Sequence, residues 1–266
     1  MSTRFARWAA LASLALLAGC AHRLHLRPAY ETSGRRSLYR TALEERKNTG
    51  QVTASLSLWL ERGAKRYPGA SGDVALLWPD RTRLRVDSAF GTLVDMGLER
   101  DSVSAYVPSL QTGLRVGHAG DSLHVDRPGE LAVRALSGGW DPPEEAWTNG
   151  AVWTDSLLEI SWMDSGDSLR MGVKGDGLPA SVRRWSSSYS VRVDYRAWDR
   201  SAGPAWPSQL MVESQPGDMR LTLRASRLKF NPRVDPARFQ IHIPEDAETI
   251  TLEDLRDLLG RARPPR

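Results

Sequence analysis

From Gln51 onward, apolar and polar residues alternate with a period of two, and this period constrains the fold more than any other feature of the chain. Val52, Ala54, Leu56, Leu58 and Leu60 alternate with Gln51, Thr53, Ser55 and Ser57. Successive side chains of a strand point to opposite faces, so this is a strand with one buried face. Val74, Leu76 and Trp78 repeat the pattern before a turn at Pro79-Asp80, and Leu84 and Val86 then alternate with Arg83, Arg85 and Asp87. Val103, Ala105 and Val107 follow. In the second half, Leu158, Ile160 and Trp162 lead through Asp164-Ser165-Gly166-Asp167 to Leu169, Met171 and Val173. Val191, Val193 and Tyr195 come next, then Leu210 and Val212, then Leu221, Leu223 and Ala225, with Phe239, Ile241 and Ile243 expected to close the sheet. Short strands at hairpin spacing, each with one wet face, predict an antiparallel sheet.

The apolar face needs a cover. The sequence offers few helices: one from Ser37 to about Asn48, one near 130–138, and a C-terminal stretch at 252–260. In the last, Thr251 and Asp254 form a capping pattern and Leu252, Leu255, Leu258 and Leu259 an apolar stripe. These are too few for a full second layer. A mainly β (α+β) fold follows, with a strongly curved antiparallel sheet partly plugged by helices. Residues 138–155 follow neither period and read as a long ordered loop rich in tryptophan, proline and acid.

The first residues have a secretory layout. Arg4 and Arg7 precede a short apolar run from Ala9 to Ala18, and Leu17-Ala18-Gly19-Cys20 ends in the only cysteine of the chain. The run is too short to span a bilayer. The tetrad resembles the lipobox of bacterial lipoprotein precursors. That resemblance implies a diacylglycerol on the Cys20 thiol, an N-acyl chain on its amine, and cleavage before it. The expected organisation is a signal peptide at 1–19, a lipidated tether at 20–36 and one domain at 37–266. With one cysteine, an intramolecular disulfide is impossible.

Charge and motifs exclude several classes. The net charge is +4, and 32 of the 36 basic residues are arginines interleaved with acids, as in Arg81-Thr82-Arg83-Leu84-Arg85-Val86-Asp87. A nucleic-acid footprint needs a concentrated basic patch, so no nucleic-acid partner is expected. His118, Asp121, His124 and Asp126 fit no common zinc spacing, and His242 alternates with Ile241 and Ile243 toward water. No Gly-x-Ser-x-Gly motif occurs. Gly172-Val173-Lys174-Gly175-Asp176-Gly177 lacks the strand-to-helix setting of a phosphate loop. The expectation is a protein that is not an enzyme, with no catalytic residues, no metal and no cofactor beyond the acyl groups on Cys20.

Three stretches carry a wider resemblance: Val74-Ala75-Leu76-Leu77-Trp78-Pro79-Asp80-Arg81-Thr82-Arg83-Leu84-Arg85-Val86, Asp101-Ser102-Val103-Ser104-Ala105-Tyr106-Val107-Pro108, and Phe239-Gln240-Ile241-His242-Ile243-Pro244-Glu245-Asp246. With the lipobox, they resemble the LolA/LolB lipoprotein carrier and receptor superfamily of the Gram-negative periplasm. The resemblance covers roughly residues 37–250. It implies an unclosed β-barrel with helices as a lid and an apolar cavity for acyl chains. The cavity candidates are Leu56, Leu58, Leu76, Trp78, Leu84, Val86, Ile160, Trp162, Val191, Val193, Leu221 and Leu223. In the receptors, an apolar residue in the loop after the third strand engages the membrane. The matching position here is Phe90, without the accompanying proline.

The implied partners are membrane lipid through Cys20, and acyl chains or lipoproteins as ligand. Ala21 after the cysteine favours the outer membrane, facing the periplasm. The same apolar rows also suit a structural or assembly lipoprotein with a filled core that binds another envelope protein. The sequence leaves both open.

Overall fold

The computed structural model describes residues 29–117, 127–154 and 156–250. Cys20, the cluster His118 to Asp126 and the 252–260 helix lie outside the described residues.

The described residues form a single sheet with 15 strands. β1 (Gln51–Arg62) lies in the middle, with the short β2 (Lys65–Arg66) paired to its end. On one side β3 (Ala70–Leu77), β4 (Arg81–Ser88), β5 (Gly91–Glu99), β6 (Ser102–Val107) and β7 (Thr112–Val116) follow as a meander. The chain then crosses to the far edge through α2 (Pro128–Ser137) and α3 (Glu144–Asn149). It returns as β8 (Ala151–Thr154), β9 (Leu157–Asp164), β10 (Asp167–Val173), β11 (Pro179–Trp185), β12 (Ser190–Asp199), β13 (Trp206–Gln215) and β14 (Met219–Phe230), which pairs with β1. Finally β15 (Glu248–Ile250) adds in parallel to β7. The ends of the sheet, β15 and β8, do not pair, so the barrel stays open.

The expected alternation sets the register. Leu58 stands opposite Leu223, Leu223 opposite Leu210, Val74 opposite Leu84, Met171 opposite Ile160, and Val182 opposite Val193. A one-residue slip would turn every one of these out to water. Fully burying each such side chain contributes about 1.5–3 kcal/mol. Register shifts at Thr53/Ser55, Val86/Asp87 and Tyr195/Ala197 bend the strands, as bulges do.

The lid follows from the topology. The chain leaves one half of the sheet at β7 and must reach the opposite edge, and α2 and α3 make this crossing. α2 ends at Gly138 in the left-handed conformation (φ 67°). The next two backbones run between indoles. A Cβ on Gly138 would lie 2.5 Å from the Trp198 ring, and one on Gly139 would lie 2.2 Å from that of Trp78. No larger residue fits either position.

Three expectations change. The first helix, α1 (Ala29–Lys47), starts before the expected Ser37, and its buried face is Tyr39, Leu43 and Arg46, whereas Leu38 is exposed. Residues 29–36 are thus helical, and Arg35 donates to the carbonyls of Ser156 (2.8 Å) and Val173 (3.2 Å). Second, the 138–155 segment contains α3 and β8, and it buries Trp140 and Trp147. Third, Phe239 to Ile243 do not form the closing strand. Pro236–Phe239 is a 3₁₀ turn capped by Asp235, and residues 240–243 carry no ladder. Pro236 and Pro244 lack the N–H that a ladder requires. The segment instead packs Ile241 against Gly97 and Ile243 against Gly113. His242 is exposed, as its parity predicts.

Trp78 also departs from expectation. It lies past the end of β3, where its ring meets the α2 terminus rather than extending the strand's inner row.

A candidate lipid-binding groove between α2 and the sheet

The concavity divides into a filled part and an open part. Under β1, β3, β13 and β14, Leu56, Leu76 and Leu223 close around a gap of only about 20 Å³, with Leu136 of α2 and Trp206. That holds at most one water-sized group. Leu58, Val86 and Ile160 are buried in the same core, with Trp78, Leu84, Trp162 and Leu221 packed against it. Most of the expected cavity wall is therefore packed core.

The open part lies beside α2. A groove of about 240 Å³ runs between Leu131, Ala132 and Ala135 of α2 and Val182, Val191 and Val193 of β11 and β12. Trp140 closes one end, and Arg184 and Tyr189 stand at the other, where β11 turns into β12. Only Val191 and Val193 were among the residues expected to line a cavity. Leu131, Ala132, Ala135 and Trp140 were legible as apolar residues of a helix and a loop, but nothing in their spacing aimed them at this part of the sheet. Arg184 and Tyr189 gave no signal, because a charged residue on a β-strand reads as solvent-facing. Arg184 in fact shares the inner face with Leu169 and Val191, its register partners.

Burial of a guanidinium requires a partner, and Asp167 supplies it. Arg184 Nε donates to Asp167 Oδ2 at 2.6 Å, and Nη2 forms an ion pair with the same oxygen at 2.6 Å. Tyr189 accepts from Arg184 Nε at 3.1 Å and donates to the same carboxylate oxygen. Burial works against the charge of Arg184, but the hydrogen bond and Coulomb attraction of Asp167, together with Tyr189, outweigh it and hold its pKa above the ordinary value. Burial, and then the bond to Asp167, push the Tyr189 hydroxyl upward.

The other end of the groove is fixed by a buried hydrogen-bond chain. Tyr39 of α1 donates to the Trp140 carbonyl, Trp140 Nε1 donates to Tyr195 at 2.8 Å, and Tyr195 donates to the Ala135 carbonyl at 2.9 Å. Burial raises the pKa of both tyrosines far above the usual range. On the rim, Arg134 of α2 bridges Glu130 and Asp164, tying the helix to β9. Arg46 is fully buried without an ion pair among the described residues, and its pKa is lowered, chiefly by burial. Its donors reach the carbonyls of Gly138 (3.4 Å) and Ala205 (3.5 Å), and it lies 5.3 Å from the Trp198 ring centroid. Its Nε has no hydrogen-bond partner among the described residues.

Phe90 is at the apex of the β4–β5 hairpin and is 100% exposed. Ser88 Oγ accepts from Phe90 N and donates to the Gly91 carbonyl, both at 3.1 Å, which stiffens the tip. Leu93 on β5 and Leu110 in the neighbouring 108–110 turn are exposed as well. Among the described residues no group of three or more His, Cys, Asp or Glu gathers as metal ligands, and no helix is long and apolar enough to cross a membrane.

No protein-family model and no curated protein sequence matches the chain. Its three-dimensional structure does have counterparts. A crystal structure of a LolA superfamily protein from Nitrosomonas europaea aligns with a TM-score of 0.53 at 13% identity, covering 77% of this chain and 97% of that one. A DUF1329 family protein from Desulfovibrio piger aligns with a TM-score of 0.52 at 10% identity, covering 77% and 96%. At such identities the likeness is one of fold. The chain has the fold of the LolA superfamily: a mainly β, single-sheet, unclosed barrel with few helices.

Proposed function

We propose that the protein is a lipid-anchored, acyl-chain-binding protein of the bacterial envelope, tethered through Cys20 to the outer membrane and facing the periplasm. The observation that carries the reading is the groove beside α2, which is open, of about 240 Å³, and apolar except at the end where Arg184 and Tyr189 stand. The lipobox-like tetrad supports the anchor, and the fold shared with a LolA superfamily protein supports a place in the envelope. A groove of that volume suits a segment of one chain. The several chains of a lipoprotein anchor would enter only if the lid moved.

The small closed gap of about 20 Å³ favours a second reading, a structural or assembly lipoprotein with a filled core that binds an envelope protein. Organic extraction of the purified protein, followed by mass spectrometry, tests the first. A non-covalent acyl lipid near one per chain is expected, together with saturable binding of a dansyl-labelled fatty acid. A lipid-free extract with no binding of the probe would leave the second reading.

A further inference from the structure

We propose that the groove selects a single-chain amphiphile with a carboxylate head, a fatty acid, whose head is held by Arg184 at the β11–β12 turn. This rests on the reading of the groove as an acyl-chain site and names its substrate class.

The groove is polar at one end only. Tyr189 and Arg184 lie at the turn, Val182 and Val193 lie deeper, and Trp140 bonds Tyr195 beyond them. From Val191 to Tyr195 the strand advances about 13 Å. A chain laid along it would meet apolar atoms throughout and polar atoms only at its head. The guanidinium has five N–H donors in a planar fork. Nε serves Asp167 and Tyr189 and Nη2 lies against Asp167, while Nη1 donates to none of the described residues. A carboxylate is the planar acceptor that suits those remaining donors. Asp167 keeps the site neutral when empty, so the groove need not hold a bare buried charge, and it competes with the ligand for the same cation. A cationic ammonium head offers no acceptor to those donors, and a hydroxyl head would use them only in part. The alternative is that Asp167, Arg184 and Tyr189 merely clamp the β9–β10 and β11–β12 turns together. A clamp is indifferent to the ligand's head.

Titration calorimetry on the purified protein with decanoate, decanol, decyl phosphate and decyltrimethylammonium, each below its micelle concentration, separates these. Decanoate should bind about tenfold more tightly than decanol, the scale of a charge-assisted hydrogen bond, and the ammonium compound most weakly. Each added methylene should tighten binding about fourfold until the groove is full. Asp167→Asn removes the competitor, so it should strengthen decanoate binding several-fold and leave decanol unchanged. Arg184→Met alone would strand a buried carboxylate, so the pair is removed together. The double variant Asp167→Asn/Arg184→Met should bind decanol as before and lose the preference for decanoate. Equal affinity of the wild-type protein for decanoate and decanol overturns the head assignment while leaving an acyl site. Tighter binding of decyl phosphate overturns the choice of carboxylate. No binding of any decyl compound overturns the acyl-site reading itself. If the double variant does not fold, the wild-type ligand series decides.

Discussion

Trp140 donates its indole N–H to the hydroxyl of Tyr195 at 2.8 Å, 55 residues away in sequence, in a buried bond. That bond joins the lid to the sheet, because Tyr195 in turn donates to Ala135 of α2 and Tyr39 donates to the Trp140 carbonyl. Tyr195→Phe would leave both the indole N–H and the Ala135 carbonyl without this partner. A loss of about 1–3 kcal/mol is expected from denaturant unfolding. Amide exchange across 128–149 should accelerate at the same time. An unchanged unfolding midpoint would show that the bond does not hold the lid.

Alkaline stability should report the same two tyrosines. In the folded protein burial keeps Tyr39 and Tyr195 protonated far above the usual range. In the unfolded chain they ionise near pH 10. Below that pH their contribution is fully present. Above it the native state binds more protons than the unfolded state, so stability falls as pH rises. Melting temperatures should be flat toward pH 10 and decline beyond, with phenolate absorbance from these residues appearing only on unfolding. A rise in melting temperature over that interval contradicts the assignment.

Arg46 offers a test of buried charge. It forms no ion pair among the described residues, and its two hydrogen bonds are long. Arg46→Met keeps much of the volume and removes the desolvated charge, so its melting temperature should equal or exceed that of the wild type. Arg46→Ala removes the packing against Trp198 as well, and should cost about 2–4 kcal/mol by the logic of core truncation. If Met is as damaging as Ala, the guanidinium rather than the side-chain volume is what the core needs.

Phe90 touches no core, being fully exposed. Phe90→Glu should therefore shift stability by no more than about 0.5 kcal/mol. The same change should weaken adsorption to lipid vesicles and slow transfer of a fluorescent lipid, if this tip meets the membrane. An unaltered transfer rate beside an unaltered melt removes Phe90 from the site.

The anchor is tested separately. Cys20→Ser removes the thiol that would carry the diacylglycerol. The variant should leave the membrane pellet and appear in the soluble fraction, since two acyl chains are what makes such attachment lasting. Retention in the pellet after a high-salt wash would place the anchor elsewhere.

The alternation in the sequence determined many of the strands, the inner faces of those it marked and the mainly β class. Leu56, Leu58, Leu76, Val86, Ile160, Val193 and Leu223 are all buried as their parity requires, because a side chain's face depends only on its place in a two-residue repeat. The end of the domain at Phe239 to Ile243 kept that parity but not its ladder, because prolines on either side withheld the N–H groups. The division of the interior into core and groove was decided by tertiary structure alone. How far Leu136 and Trp206 fill the space under Leu223, and how far α2 stands from Val191, depends on contacts between residues far apart in the chain. The same holds for Arg184. Its charge predicts water, and only the fold shows Asp167 and Tyr189 brought beside it to make an inward-facing guanidinium stable. Local sequence fixes which way a residue points, but the partner that makes that direction affordable for a charge comes from elsewhere in the chain.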